Sequence, residues 1–458
     1  MGSGATAQLA AFVAECPAEA VTDKARQEVK RAVLDVLGTA LAGANEEVGA
    51  LARRFVESEN ASGPAGVLGS GLRTSSALAA WANGTLAHAL DFDDVGLGVG
   101  HPSVVVVPVA LAVAEETNAS GSDFVGAIAL GYEAASRVGT AAGWTPYRRG
   151  YHGTSIYGVF GAAAATGRLL RLTPAELRNA FGIAASQAGG LRANFGTMTK
   201  PLHAGVTCQT GVVASRLAKM GWTANPDILE SAVGFGPVIA GRSLDESSGI
   251  TSDLGGTLAI ERGVDIKKFP CCYLNHAALD AFLGVMKEHG LSGRDVAQIQ
   301  VDGSWMLNEV LLYPTPATGL QGKFSLQYNL AAALLDGGVT RATFADARAA
   351  DPELRATLPR VIVNAHEEWP RPLFSVRLTV STVRGETIIR EQDSIKGQAT
   401  DPLSWDELAV KFRDNAASVL GAEAIERAID AVADLDRLES VKPLVDLLVG
   451  QRPAEGVR

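Results

Sequence analysis

Imidazole is the side chain best matched to proton transfer near neutral pH, and this chain carries seven: His88, His101, His152, His203, His276, His289 and His366. Four polar segments punctuated by Gly or Pro hold the first five. They are His88-Ala-Leu-Asp91-Phe-Asp93-Asp94 leading to His101-Pro-Ser, then Tyr151-His152-Gly-Thr, then Lys200-Pro-Leu-His203-Ala-Gly, and Lys267-Lys268-Phe-Pro-Cys-Cys-Tyr-Leu-Asn-His276. Imidazoles beside carboxylates and amines suit one kind of chemistry. A base moves a proton, a carboxylate orients it, and an amine binds an anion and stabilises developing negative charge. Each residue also has a plainer reading. A histidine can be a hydrogen-bonded structural residue. Asp93 and Asp94 read as helix-end caps, and His203 as local support for Lys200, with substrate binding as the alternative. Lys267, Lys268 and Lys323 read as surface charge, with carboxylate capture as the alternative. Arg148-Arg149 reads as a solvated loop.

Other chemistries find less support. No HxxxH or HExxH spacing places two metal ligands on one helix face, although Asp91, His101, His152 and His276 could in principle gather round a cation. Gly69-Ser-Gly71 and Gly234-Phe-Gly236 do not extend into a GxGxxG phosphate loop, which weakens a pyridoxal-phosphate reading of Lys200. The four cysteines, Cys16, Cys208, Cys271 and Cys272, show no CxxC spacing, so a reduced, cytoplasmic protein without structural zinc is expected. The net charge of −10 and the lack of a basic run argue against nucleic acid. No signal peptide is expected at the N-terminus. The apolar run Val104–Ala114 is too short to span a bilayer and reads as a buried helix or strand.

With 458 residues, 47% of them hydrophobic, the chain exceeds the usual size of one core. Thr22-Asp23 precedes apolar positions at helical period through Leu41. Thr173-Pro-Ala-Glu176 and Ser404-Trp-Asp-Glu407 are capping boxes, and Asp123–Arg137 reads as another helix. The character changes near residue 295. Val296–Val301 and Arg360–Val363 read as strands, and Phe374–Ser381 with Thr387–Arg390 as a hairpin turning at Arg384-Gly385. The expected architecture is mainly α. A large all-helical domain covers 1–265, a smaller α+β lid covers 266–395, and C-terminal helices at 396–458 return to the helical domain.

In their order, the strings HALDFDD, HPS, HGT, TKPLHAG, KKFPCCYLNHAALDA and Lys323-Phe-Ser-Leu-Gln-Tyr328 resemble the signature blocks of the MmgE/PrpD family, over roughly residues 10–400. That family includes 2-methylcitrate dehydratase, cis-aconitate decarboxylase and iminodisuccinate epimerase. The resemblance implies an enzyme with no metal or organic cofactor, usually a homodimer, that makes or quenches a carbanion beside a carboxylate of a small polycarboxylic acid. It places the catalytic positions on Asp91, His101, His152, Lys200 and His276, and on Tyr328 through a looser match. The expected roles are His101 and His152 as an acid/base pair, Asp91 orienting His101, and Lys200 and His276 binding carboxylates. Tyr328 would protonate a leaving hydroxyl or hydrogen-bond the substrate. A dehydratase-like lyase is the leading expectation, with an epimerase or isomerase next, then a decarboxylase. A non-catalytic binding protein is the remote alternative. The segment Val95-Gly-Leu-Gly-Val-Gly100 lacks the hydroxyl residue of the methylcitrate and cis-aconitate pattern, which weighs against those two substrates. Cys271-Cys272 looks more like the epimerase-type branches.

Overall fold

A computed structural model describes residues 4–450; the ends of the expected first and third segments, 1–3 and 451–458, lie outside the described residues. The helical body begins with α1 (Ala5–Glu15), α2 (Asp23–Gly43) and α3 (Glu47–Ser58). A two-stranded ribbon follows, β1 (Ala65–Val67) and β2 (Leu72–Thr74), which the sequence pattern did not signal. Next come α4 (Ser76–His88), α5 (Ser103–Thr117), α6 (Gly121–Ala142), the single turn α7 (Thr145–Arg148) and α8 (Gly153–Leu169). The body continues with α9 (Pro174–Ala185) and α10 (Thr199–Lys219).

The chain crosses into the second unit near Ile266, whose N–H donates to the Gly397 carbonyl at 2.8 Å. The outgoing and returning strands of the crossing are therefore tied together. The second unit holds α11 (His276–Glu288), β3 (Val296–Ser304), α12 (Met306–Val310), α13 (Gly319–Gly322) and α14 (Leu326–Asp336). It closes with α15 (Asp346–Ala349), α16 (Pro352–Thr357), β4 (Val361–His366), β5 (Val376–Thr382) and β6 (Thr387–Gln392). Its sheet runs β4-β3-β5-β6. Strand β3 is parallel to β4 and antiparallel to β5, with Val301 opposite both Val363 and Leu378. A parallel pair needs a long crossover, and α12 to α16 supply it. The molecule is mainly α with this smaller α+β unit. Helices α17 (Trp405–Ala416), α18 (Ala422–Ala433) and α19 (Lys442–Val449) return to the body, where Phe412 packs on Gly38 of α2.

Helix α5 resolves the ambiguous run at 104–114. Every residue from Ser103 to Glu115 is buried, so the helix has no polar face for periodicity to reveal. Its valines favour strand only weakly, and burial on all sides overrides that preference. Two close approaches set the positions of the polar segments. A Cβ on Gly205 of α10 would lie 2.4 Å from the Trp81 carbonyl of α4, and one on Gly161 of α8 would lie 2.8 Å from the Gly131 carbonyl of α6. Only glycine permits such contact. The first brings the end of α4, carrying His88, beside the start of α10, carrying Lys200.

Candidate active site

Helix α4 ends at His88, and Asp91 then takes a left-handed turn with φ of 51°. That turn points Asp91 and Asp93 at different partners. Asp93 accepts from His88 Nδ1 at 2.9 Å on one oxygen and from His101 Nδ1 at 2.7 Å on the other. Lys200 Nζ, from the first turn of α10, donates to His88 Nε2 at 2.8 Å and to Asp91 Oδ1 at 2.9 Å. Lys267 Nζ, at the crossing to the lid, donates to the same Asp91 oxygen at 2.8 Å and to the Asp91 carbonyl at 2.7 Å. His152 occupies the N-cap position of α8 without a side-chain capping bond. Its Nδ1 meets His203 Nδ1 at 3.1 Å, while its Nε2 has no partner among the described residues.

Burial and opposing charge compete throughout this cluster. Burial alone would raise the Asp91 carboxyl, but the Lys200 and Lys267 ammoniums outweigh it and hold Asp91 well below the usual carboxylate range. Asp93 is likewise held low, against burial, by His88 and His101. Burial pushes His88 down to about 3. It also lowers His101, with Asp93 opposing and Lys200 and Lys267 assisting. His152 is lowered by burial and then by Lys200. The resting site therefore holds neutral imidazoles, ionised carboxylates and two ammonium groups.

Hydrogen bonding fixes the tautomers. His88 Nε2 accepts from an ammonium and His101 Nδ1 faces a carboxylate, so each neutral ring carries its hydrogen on Nδ1. His101 Nε2 is then the atom free to exchange a proton. It lies 3.6 Å from Asp91 Oδ1.

Four of the expected residues, Asp91, His101, His152 and Lys200, line one cavity of about 480 Å³. Its far walls come from the Gly-rich loop at 95–100, from α6 and α7, and from Cys272, Tyr273, Met306, Phe324 and Phe374 of the lid. Other expectations shift. Asp93, not Asp91, orients His101, so the cap reading of Asp93 is corrected. His203 stands behind His152, and Lys267 behind Asp91. Lys323 donates to the carbonyls of Leu90 and Pro270, tying the lid to the Asp91 turn rather than facing the cavity. His276 is sealed between Phe269 and Tyr273 with Nε2 3.4 Å from the Cys271 carbonyl. It is absent from the cavity lining, so it does not face the space that its expected carboxylate-binding role requires. Tyr328 donates its hydroxyl to the Thr343 carbonyl inside a separate apolar cluster. Lys268 pairs with Asp280 at the surface, 2.9 Å away. Neither Tyr328 nor Lys268 reaches the site. Among the residues that sequence reasoning passed over, His88 and Asp93 matter most. Their signal was the unbroken run from His88 to Asp94, too polar for a helix end alone.

His88, Asp91, Asp93 and His101 bring ligand-type atoms within 4.8 Å of one another. The cluster does not fit a divalent ion. Lys200 already occupies His88 Nε2 and Asp91 Oδ1, and Lys267 adds a second positive charge on Asp91. An ion there would displace one ammonium and be repelled by the other.

Comparison with known proteins decides the family. The MmgE/PrpD N-terminal domain model matches residues 7–246, and the C-terminal domain model matches 269–437. The chain belongs to the MmgE/PrpD family. It is similar to the cis-aconitate decarboxylase of Homo sapiens, at 32% identity over 95% of this chain and 92% of that one. The Mus musculus cis-aconitate decarboxylase is 30% identical, over 94% and 90% of the two chains. That of Aspergillus terreus is 26% identical, over 97% and 96%. The protein is an enzyme of the MmgE/PrpD family, and the cavity-lining residues Asp91, His101, His152 and Lys200 lie within the span of the N-terminal domain match.

Proposed function

We propose that this MmgE/PrpD enzyme is a lyase that decarboxylates a small unsaturated polycarboxylic acid of the cis-aconitate class. The observation that carries the reading is the cavity floor. Asp91 Oδ1 holds the Lys200 ammonium at 2.9 Å and lies 3.6 Å from the exchangeable Nε2 of His101, and the same cavity is lined by His152, whose buried Nε2 is unpartnered among the described residues. Decarboxylation needs those parts and few others. The bond to the leaving carboxylate breaks, its electrons pass into the conjugated acid, and carbon dioxide departs. The remaining carbanion then takes one proton. Lys200 stabilises the developing charge in a partly dehydrated cavity. His101 first takes a solvent proton on Nε2, becoming an imidazolium between Asp91 and Asp93, then delivers that proton to the carbanion and returns to the neutral Nδ1–H form. His152 Nε2 hydrogen-bonds a carboxylate that stays.

This reverses the order that sequence alone suggested, in which dehydration came first. Dehydration needs an acid for the departing hydroxide, and the tyrosine assigned to it, Tyr328, is committed to the Thr343 carbonyl. The relatives named above are also decarboxylases. Incubation of the enzyme with cis-aconitate in deuterated water, followed by NMR, tests the reading. Carbon dioxide release, with one solvent deuterium in the product, is expected. Hydration, dehydration or isomerisation without loss of carbon would overturn it.

A further inference from the structure

The cavity is larger and more apolar than the proposed reaction requires. About 480 Å³ lies in the range that holds drug-sized ligands, and a six-carbon acid leaves much of it empty. Polar groups gather at one end, at Asp91, His101, His152 and Lys200. Away from that floor the wall is mostly apolar, with Val95, Val99, Trp144, Met306 and Phe374, interrupted by the hydroxyls of Thr140 and Tyr147, the Tyr147 ring lying under the Arg192 guanidinium. Lys200 is the only lysine or arginine among the described lining residues. The floor's two ammoniums, Lys200 and Lys267, are matched by the carboxylates of Asp91 and Asp93. Apart from Asp91, the carboxyl in the described lining is Asp265, which accepts from the Tyr273 hydroxyl and the Ala399 N–H. A carboxylate placed against that wall would lose water and meet mostly apolar side chains, which is unfavourable. The hydroxyl-free loop at Val95–Gly100 belongs to the same wall.

We infer that the natural substrate is a polycarboxylic acid bearing an apolar substituent of several carbons, its carboxylates on the Lys200 floor and its hydrocarbon arm against Val95, Val99, Trp144 and Phe374. This inference rests on the decarboxylase reading for its reaction, but on the cavity wall for its substrate class. Burial of the arm follows the ordinary hydrophobic effect, in proportion to apolar area removed from water.

The test uses the purified enzyme with cis-aconitate and homologues carrying a methyl, propyl or hexyl group in place of one hydrogen. The expected result is a rise in kcat/KM of about three- to fourfold per methylene, until the arm reaches the end of the cavity. The Trp144→Ala and Phe374→Ala variants should each flatten that series. A flat or falling series in the wild-type enzyme would overturn the inference. If no compound loses carbon dioxide, the proposed reaction fails. Calorimetric binding of the same compounds then decides the substrate class separately. Affinity that tightens with chain length supports the apolar arm, and affinity without such a trend removes it.

Discussion

Asp93 grips His101 through the ring nitrogen that faces away from the cavity, at 2.7 Å, and so leaves the opposite nitrogen as the exchangeable edge. The same carboxylate holds His88 at 2.9 Å, and His88 in turn accepts from Lys200. One buried anion thus sets two tautomers and couples the proton-carrying ring to the charge-stabilising amine.

Asp93→Asn removes that control while keeping the shape. The amide can offer an N–H to His101 Nδ1, which would favour the wrong tautomer. The expected loss in kcat is on the order of 10² to 10⁴, by analogy with other carboxylate–imidazole pairs. Steady-state kinetics with near-UV circular dichroism checks this. A variant that folds normally and keeps most of its turnover would show that Asp93 does not orient the reacting ring.

The pH profile carries a sign. Burial lowers His101 below its ordinary 6.5, while Asp93 opposes and Lys200 assists. If protonated His101 delivers the proton, activity is full below its pKa and is lost as pH rises through it. The midpoint of the falling limb in kcat/KM therefore lies below 6.5. Asp93→Asn should move it lower still, and Lys200→Gln should move it up in whatever activity remains. A profile without a falling limb in the acid range would assign the proton to another group.

The helices were legible where a cap or a polar face marked them. Thr173 and Ser404 open α9 and α17 with capping boxes, as their spacing predicts. Helix α5 was ambiguous because a helix buried on every side has no period to read. Four of the site residues could be named because the blocks around Asp91, His101, His152 and Lys200 match a family. Their pairing could not. Asp91 and Asp93 are two residues apart, and only the left-handed turn at Asp91 decides which of them hydrogen-bonds His101 Nδ1. Tyr328 was misplaced for a related reason. Its position on the buried face of α14 depends on how the lid folds back on Thr343, a contact that spacing does not encode.

Two adjacent lysines should behave in opposite ways. Lys267 is wholly buried and bonded to the Asp91 carboxylate and carbonyl. Lys267→Met leaves those acceptors short of a donor and should cost about 3 kcal/mol or more. Lys268 is exposed and pairs with Asp280, so Lys268→Met should change stability by less than about 1 kcal/mol. Denaturant unfolding of both variants checks the contrast. Equal effects would mean that Lys267 is not the buried support of Asp91.

The Lys200 and Lys267 ammoniums already occupy the atoms a metal would need. Dialysis against a chelator should therefore leave turnover unchanged, and added divalent cations should not raise it. Loss of activity on chelation, restored by one metal, would show that the His88, Asp91, Asp93 and His101 cluster rearranges to bind an ion.

Tyr328 offers the sharpest separation between the family's sequence pattern and this chain's geometry. Its ring is buried in α14, and its hydroxyl is spent on the Thr343 carbonyl. Tyr328→Phe removes one buried hydrogen bond and leaves that carbonyl without its donor, at a cost of about 1–3 kcal/mol in stability. Because the hydroxyl lies outside the cavity lining, kcat and KM should stay within about twofold of wild type, since a surviving fold keeps the Lys200 and His101 contacts intact. A large fall in kcat with little change in the unfolding midpoint would mean that the lid swings Tyr328 onto the substrate. The dehydratase reading would then regain its missing acid.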